Sequence, residues 1–70
     1  MEKIVAELAA VIRKKGIGLA EVSTLIGCSS ETLFSWLLGF AEPSAFYLGI
    51  LPGLVDDLSR LYLDAVARKA

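Results

Sequence analysis

Seventy residues and 7.5 kDa leave room for one small domain and no second. Hydrophobic residues make up 56% of the chain and charged ones 21%, which excludes disorder and exceeds what so small a core can hold, because a domain near this size hides only about 60% of its unfolded surface. One cysteine excludes a disulfide framework, the lack of histidine removes the commonest metal ligand and general base, and a net charge of −1 argues against a generic polyanion binder.

Glu2 to Lys15 is predicted to form an amphipathic helix. Ile4, Leu8, Val11 and Ile12 share one face, Ala6, Ala9 and Ala10 favour the helix, and Arg13 to Lys15 suit the negative end of its dipole. Gly16 and Gly18 end it. A short second helix follows from Leu19 to Ile26, with Val22 and Ile26 four apart, and Gly27 turns the chain. Ser29 is the expected cap of a third helix, Ser30 to Leu38, closed by Gly39. Pro43-Ser44 restarts the chain, with Ser44 capping a fourth helix that Pro52-Gly53 is expected to break after Leu51. A fifth is expected from Leu54 to Arg68, with Leu54, Leu58, Leu61 and Ala65 as its apolar stripe and Asp56, Arg60 and Asp64 as a solvated ion-pair ladder. Nothing alternates with period two and nothing repeats. The fold class expected is all-α, a single compact five-helix domain over residues 1–70.

All seven basic residues lie near the ends: Lys3, Arg13, Lys14, Lys15, Arg60, Arg68 and Lys69. From Gly16 to Ser59 the only charges are Glu21, Glu31, Glu42, Asp56 and Asp57, so the middle of the chain suits an uncharged partner. A secretory leader is not expected, because the basic cluster follows an Ala-rich amphipathic segment and no apolar run leads to a cleavage site. Leu33 to Val55 is long enough to span a bilayer. It is interrupted by Gly39, Pro43, Gly49, Pro52 and Gly53, and Glu42 near the centre would cost about 2.5–3.5 kcal/mol. A membrane role is disfavoured, and a cytoplasmic location is expected.

The run from Leu19 to Ser44 resembles the helix-turn-helix of lambda-repressor-like (Cro and C1 type, XRE-like) domains, with the two helices at about residues 19–38. Val22 matches the family's inward apolar position, Ser23 its usual alanine, Gly27 the inter-helix glycine and Cys28 a small apolar slot. Ser29 matches the recognition-helix cap, Thr32-Leu33 and Trp36 that helix's inner face, and Gly39 and Pro43-Ser44 the punctuation that follows. The resemblance spans residue 4 to about residue 62. It implies operator DNA as partner, with the third helix in the major groove.

The groove-facing positions depart from that inheritance. A base-reading face needs Arg, Lys, Asn or Gln, whose forked donors and acceptors match base edges; here it offers Ser30, Glu31, Phe34, Ser35 and Leu38. Where the family favours a polar cap and Gln at the start of its second helix, this chain has Gly18 and Leu19. Where it favours Lys or Arg after the third, this chain has Phe40 and Ala41. The family's Arg–Glu pair between helices one and three falls on Ile12 and Leu37, an apolar exchange that can be neutral or stabilising. DNA affinity comes largely from neutralised phosphates, and the central stretch has no cation to neutralise them.

Leu19, Leu25, Phe34, Leu38, Phe40, Ala41, Phe46, Tyr47 and Ile50 occupy sites that the family usually keeps polar. Some could enlarge the core, Phe46 by tucking inward. Together they predict an interaction surface. The function expected is a protein-interaction or self-assembling module, binding itself or another protein through Leu19, Phe34, Leu38, Phe40, Ala41, Phe46, Tyr47 and Ile50. Substitutions running in one direction are also what deliberate redesign would produce. The alternative is a DNA-binding regulator using Ser29, Ser30, Glu31 and Ser35. No catalytic group, cofactor or metal site is expected. Gly16-Ile17-Gly18 lacks the strand and Lys-Ser/Thr of a phosphate loop. Cys28 reads as a small buried residue, and Asp56-Asp57 with Arg60 as a solvated face.

Overall fold

The computed structural model describes residues 2–66, which fold into four helices with no strand among them: α1 (Lys3–Lys15), α2 (Leu19–Ile26), α3 (Ser30–Leu38) and α4 (Ala45–Leu61). Helix α1 buries Val5, Leu8 and Ile12, a face rotated from the predicted one so that Ile4 and Val11 are half-buried at its margin. It ends at Gly16, whose φ of 65° puts it in the left-handed region. The Gly16 amide donates to the Arg13 carbonyl and the Ile17 amide to that of Ile12, and Ile17 itself is buried. That pattern satisfies carbonyls left open at the helix end.

Helices α2 and α3 meet across a tight turn at Gly27, where φ is 90° and a side chain would be strained. Ser29 caps α3: its hydroxyl accepts from the Thr32 amide at 3.1 Å and donates to the Thr32 hydroxyl at 2.8 Å. Ser23, buried on α2, donates to the Ala20 carbonyl at 2.9 Å and shares a 3.2 Å hydrogen bond with the Ser30 hydroxyl. Val22, Ile26, Leu33 and Trp36 carry the α2–α3 pair into the core, where α1 and α4 run against each other and supply Val5, Leu8, Ile12, Leu51 and Leu58.

The expected break at Pro52-Gly53 does not occur. Helix α4 runs unbroken through Pro52, so the described residues hold four helices rather than five. Proline inside a helix removes one amide donor, here leaving the Leu48 carbonyl without it, at a cost of about 3 kcal/mol. Gly49 and Gly53 add roughly 1 kcal/mol each. Against this, Leu51 and Leu58 are 0% and 2% exposed, seven residues apart on the buried side, and full burial of each is worth roughly 1.5–3 kcal/mol. Tertiary packing overrides local propensity here. Ser44 stands at the N-cap position, but its side chain makes no cap bond; its carbonyl accepts from Leu48 instead.

Helix α4 closes at Tyr62, which leaves helical register earlier than the predicted fifth helix. Leu61, expected in the apolar stripe with Leu54 and Leu58, is therefore exposed. Asp64 leaves the expected ladder and reaches the far end of α1, accepting from the Lys15 ammonium at 2.7 Å with Lys14 at 4.0 Å. Arg60 pairs with Asp56 at 3.0 Å and Asp57 at 2.8 Å. The Tyr62 hydroxyl donates to a Glu21 carboxylate oxygen at 3.1 Å. Arg68 and Lys69, the predicted C-terminal basic tip, lie outside the described residues.

Candidate interaction surface

Helix α3 turns Leu33 and Trp36 inward, which leaves Phe34 and Leu38, four residues apart, on its outer side. They are 49% and 50% exposed. At the end of α3, Gly39 has a φ of 82° and donates to the Trp36 carbonyl, while the Phe40 amide donates to that of Ser35. This closure satisfies the backbone and leaves the Phe40 ring exposed, with Ala41 exposed beside it in sequence.

The first turn of α4 adds a second aromatic group. Trp36 is buried, its ring centroid lies 5.1 Å from that of Tyr47, and Tyr47 meets Phe46 edge-on at 5.3 Å. Edge-to-face contacts in this range are favourable, so three rings lead from the core to an exposed Phe46 held against its neighbour. Phe46 is 71% exposed and does not tuck into the core. Ile50, one turn further on, and Leu25 at the end of α2 are exposed as well. Leu19 and Tyr47 are half-buried and pack against the core, so they stand at the margin of any such surface.

A shallow groove of about 400 Å³ lies between α2 and α4, lined by Leu25, Gly49, Ile50, Gly53, Leu54 and Asp57 among others. A Cβ added at Gly49 or Gly53 would meet nothing within 4 Å. In the sequence Gly53 stands out only as part of the Pro52-Gly53 stop, and Gly49 only as an interruption of the apolar run from Leu33 to Val55. Their four-residue spacing marks a common helical face once α4 is known to be continuous. Leu61, Leu63 and Val66 are further exposed apolar side chains beyond the region the sequence singles out.

The three serines of the DNA reading are engaged within the fold. Ser29 and Ser30 are exposed, but their hydroxyls bond Thr32 and Ser23, and the half-buried Ser35 donates to the Glu31 carbonyl at 3.0 Å. Glu31 is exposed in the first turn of α3. Cys28 is a free, half-buried thiol whose pKa is raised by burial, with backbone hydrogen bonds opposing the shift. The Lys15 ammonium, hydrogen-bonded to Asp64, holds that carboxyl below its ordinary value. Among the described residues no group of His, Cys, Asp or Glu could hold a metal ion, and no helix is long and apolar enough to cross a membrane. No protein-family model matches the chain, and neither a curated protein nor a solved structure matches it.

Proposed function

We propose that this chain is a protein-interaction module that associates with itself, built on a lambda-repressor-like scaffold whose DNA-facing positions carry apolar side chains. The observation that carries the reading is the exposure of Leu25, Phe34, Leu38, Phe40, Phe46 and Ile50 within a stretch free of Lys and Arg. Taking about 200 Å² for a large apolar side chain, these six expose on the order of 600–700 Å². Each partner in a standard protein interface contributes about 800 Å². The scaffold part of the reading is supported by the buried Val22, Leu33 and Trp36, the positive φ of Gly27 and the Ser29 cap, which occupy the positions that carry the resemblance. No observation favours the DNA reading, whose serine hydroxyls already have partners within the fold.

Sedimentation of wild type beside Phe34→Glu tests this reading. Wild type is expected to exceed the 7.5 kDa monomer at micromolar concentration, with the variant shifted toward it, and added salt should leave the association intact. A wild type that stays monomeric throughout the micromolar range would defeat self-association. Duplex binding that weakens steeply with salt would restore the DNA reading.

A further inference from the structure

The groove between α2 and α4 and the exposed Phe46 ring belong to the same chain, and their positions on α4 are complementary. At 100° per residue, Ile50, Gly53 and Asp57 all fall within about 40° of Phe46 on the helix circumference. Phe46 therefore projects from the stripe on which Gly53 leaves a gap, with the two separated by about 10 Å along the axis at 1.5 Å per residue.

We propose that this groove receives Phe46 of a second copy of the chain, the two α4 helices pairing antiparallel about a twofold axis beside Ile50. This inference rests on the self-associating reading above and names the geometry of one of its contacts, with Phe34, Leu38 and Phe40 lying outside it. With the axis at that position, each Phe46 faces the other copy's Gly53, so one operation covers both exposed rings and fills both grooves. A twofold interface requires such self-complementarity, with residue i meeting j and j meeting i. The chemistry of the groove also fits. Leu25, Ile50 and Leu54 present apolar side chains, and the one charged group at the site, Asp57, is paired with Arg60 at 2.8 Å. Gly49 and Gly53 lie in the interior of a helix that would be stronger with alanine, and the space they leave admits a partner's ring. Phe46, Ile50 and Leu25 account for about half of the exposed apolar area estimated above. At about 300–350 Å² per partner, against about 800 Å² in a standard interface, the pair is a weak and reversible dimer.

The test measures self-association of wild type, Phe46→Ala and Gly53→Leu by sedimentation equilibrium, alone and mixed. Each variant alone is expected to lose affinity at least tenfold, because Phe46→Ala removes the ring and Gly53→Leu fills the groove. The equimolar mixture is expected to regain association between unlike chains, since an intact Phe46 then meets an intact groove once per pair. Gly53→Leu should fold, having open space beyond its Cβ, and circular dichroism checks this. Self-association unaffected by Phe46→Ala or Gly53→Leu, or a mixture that associates no better than either variant alone, would overturn the proposed geometry. If Phe34→Glu abolished that association, the broader reading would still stand; a monomeric wild type would overturn both.

Discussion

Two regions of this small domain are held by opposite chemistry. Where α1 ends, the chain after α4 returns and is fastened by polar groups: Lys15 to Asp64 and Tyr62 to Glu21. Where α3 gives way to α4, the contacts are aromatic, from buried Trp36 through Tyr47 to exposed Phe46, and the last ring has nothing over it in the single chain. Charge is used where the chain meets itself. At the other end, apolar side chains stay exposed.

The sharpest way to break this comparison is at the two ends of the aromatic series. Trp36→Ala removes a buried ring and should cost roughly 3–5 kcal/mol of stability, seen as a large fall in the denaturation midpoint. Phe46→Ala should leave that midpoint nearly unchanged and act on association. Equal destabilisation by the two would mean that Phe46 is part of the core. A smaller effect of opposite sign is expected at Gly49, where alanine should raise monomer stability by up to about 1 kcal/mol. Urea melts of Gly49→Ala beside its sedimentation would then show stability rising as self-association falls; a loss of both would show that α4 needs the glycine for its own backbone.

The smallest effect probes the polar side. Asp64 has its pKa lowered in the fold, chiefly by the Lys15 hydrogen bond. The unfolded chain therefore binds this proton more readily, and stability rises with pH through the range between the two pKa values. The contribution is fully present above the ordinary carboxylate range and is lost as pH falls through the lowered value. Thermal melts of Asp64→Asn should show a shallower loss of stability in acid than wild type. An identical acid limb in both would remove the Lys15–Asp64 contact from the account.

The elements that could be read from sequence are those whose signals are local. Gly16, Gly27 and Gly39 end three helices and Ser29 begins one, each because of what its own backbone or hydroxyl does to its nearest neighbours. The outer position of Phe34 and Leu38 follows from the helical period of α3 alone. The continuity of α4 was hidden because Pro52-Gly53 is a strong local stop. The force against it, burial of Leu51 and Leu58 beside α1, depends on residues distant in sequence. For the same reason local spacing places Leu61 in the apolar stripe and carries no sign of the groove. The Lys15–Asp64 contact joins residues 49 apart, and no spacing rule connects them.

The aromatic series has a practical consequence for optical work. Trp36 is the only indole in the chain, and it lies two ring contacts from the exposed tip at Phe46. Its emission is expected to respond through these contacts to a change at Phe46, and Tyr47, with its ring centroid 5.1 Å away, is close enough to pass excitation to it. The proposed docking at that face is therefore open to observation in solution through an intrinsic fluorophore, without attaching a dye.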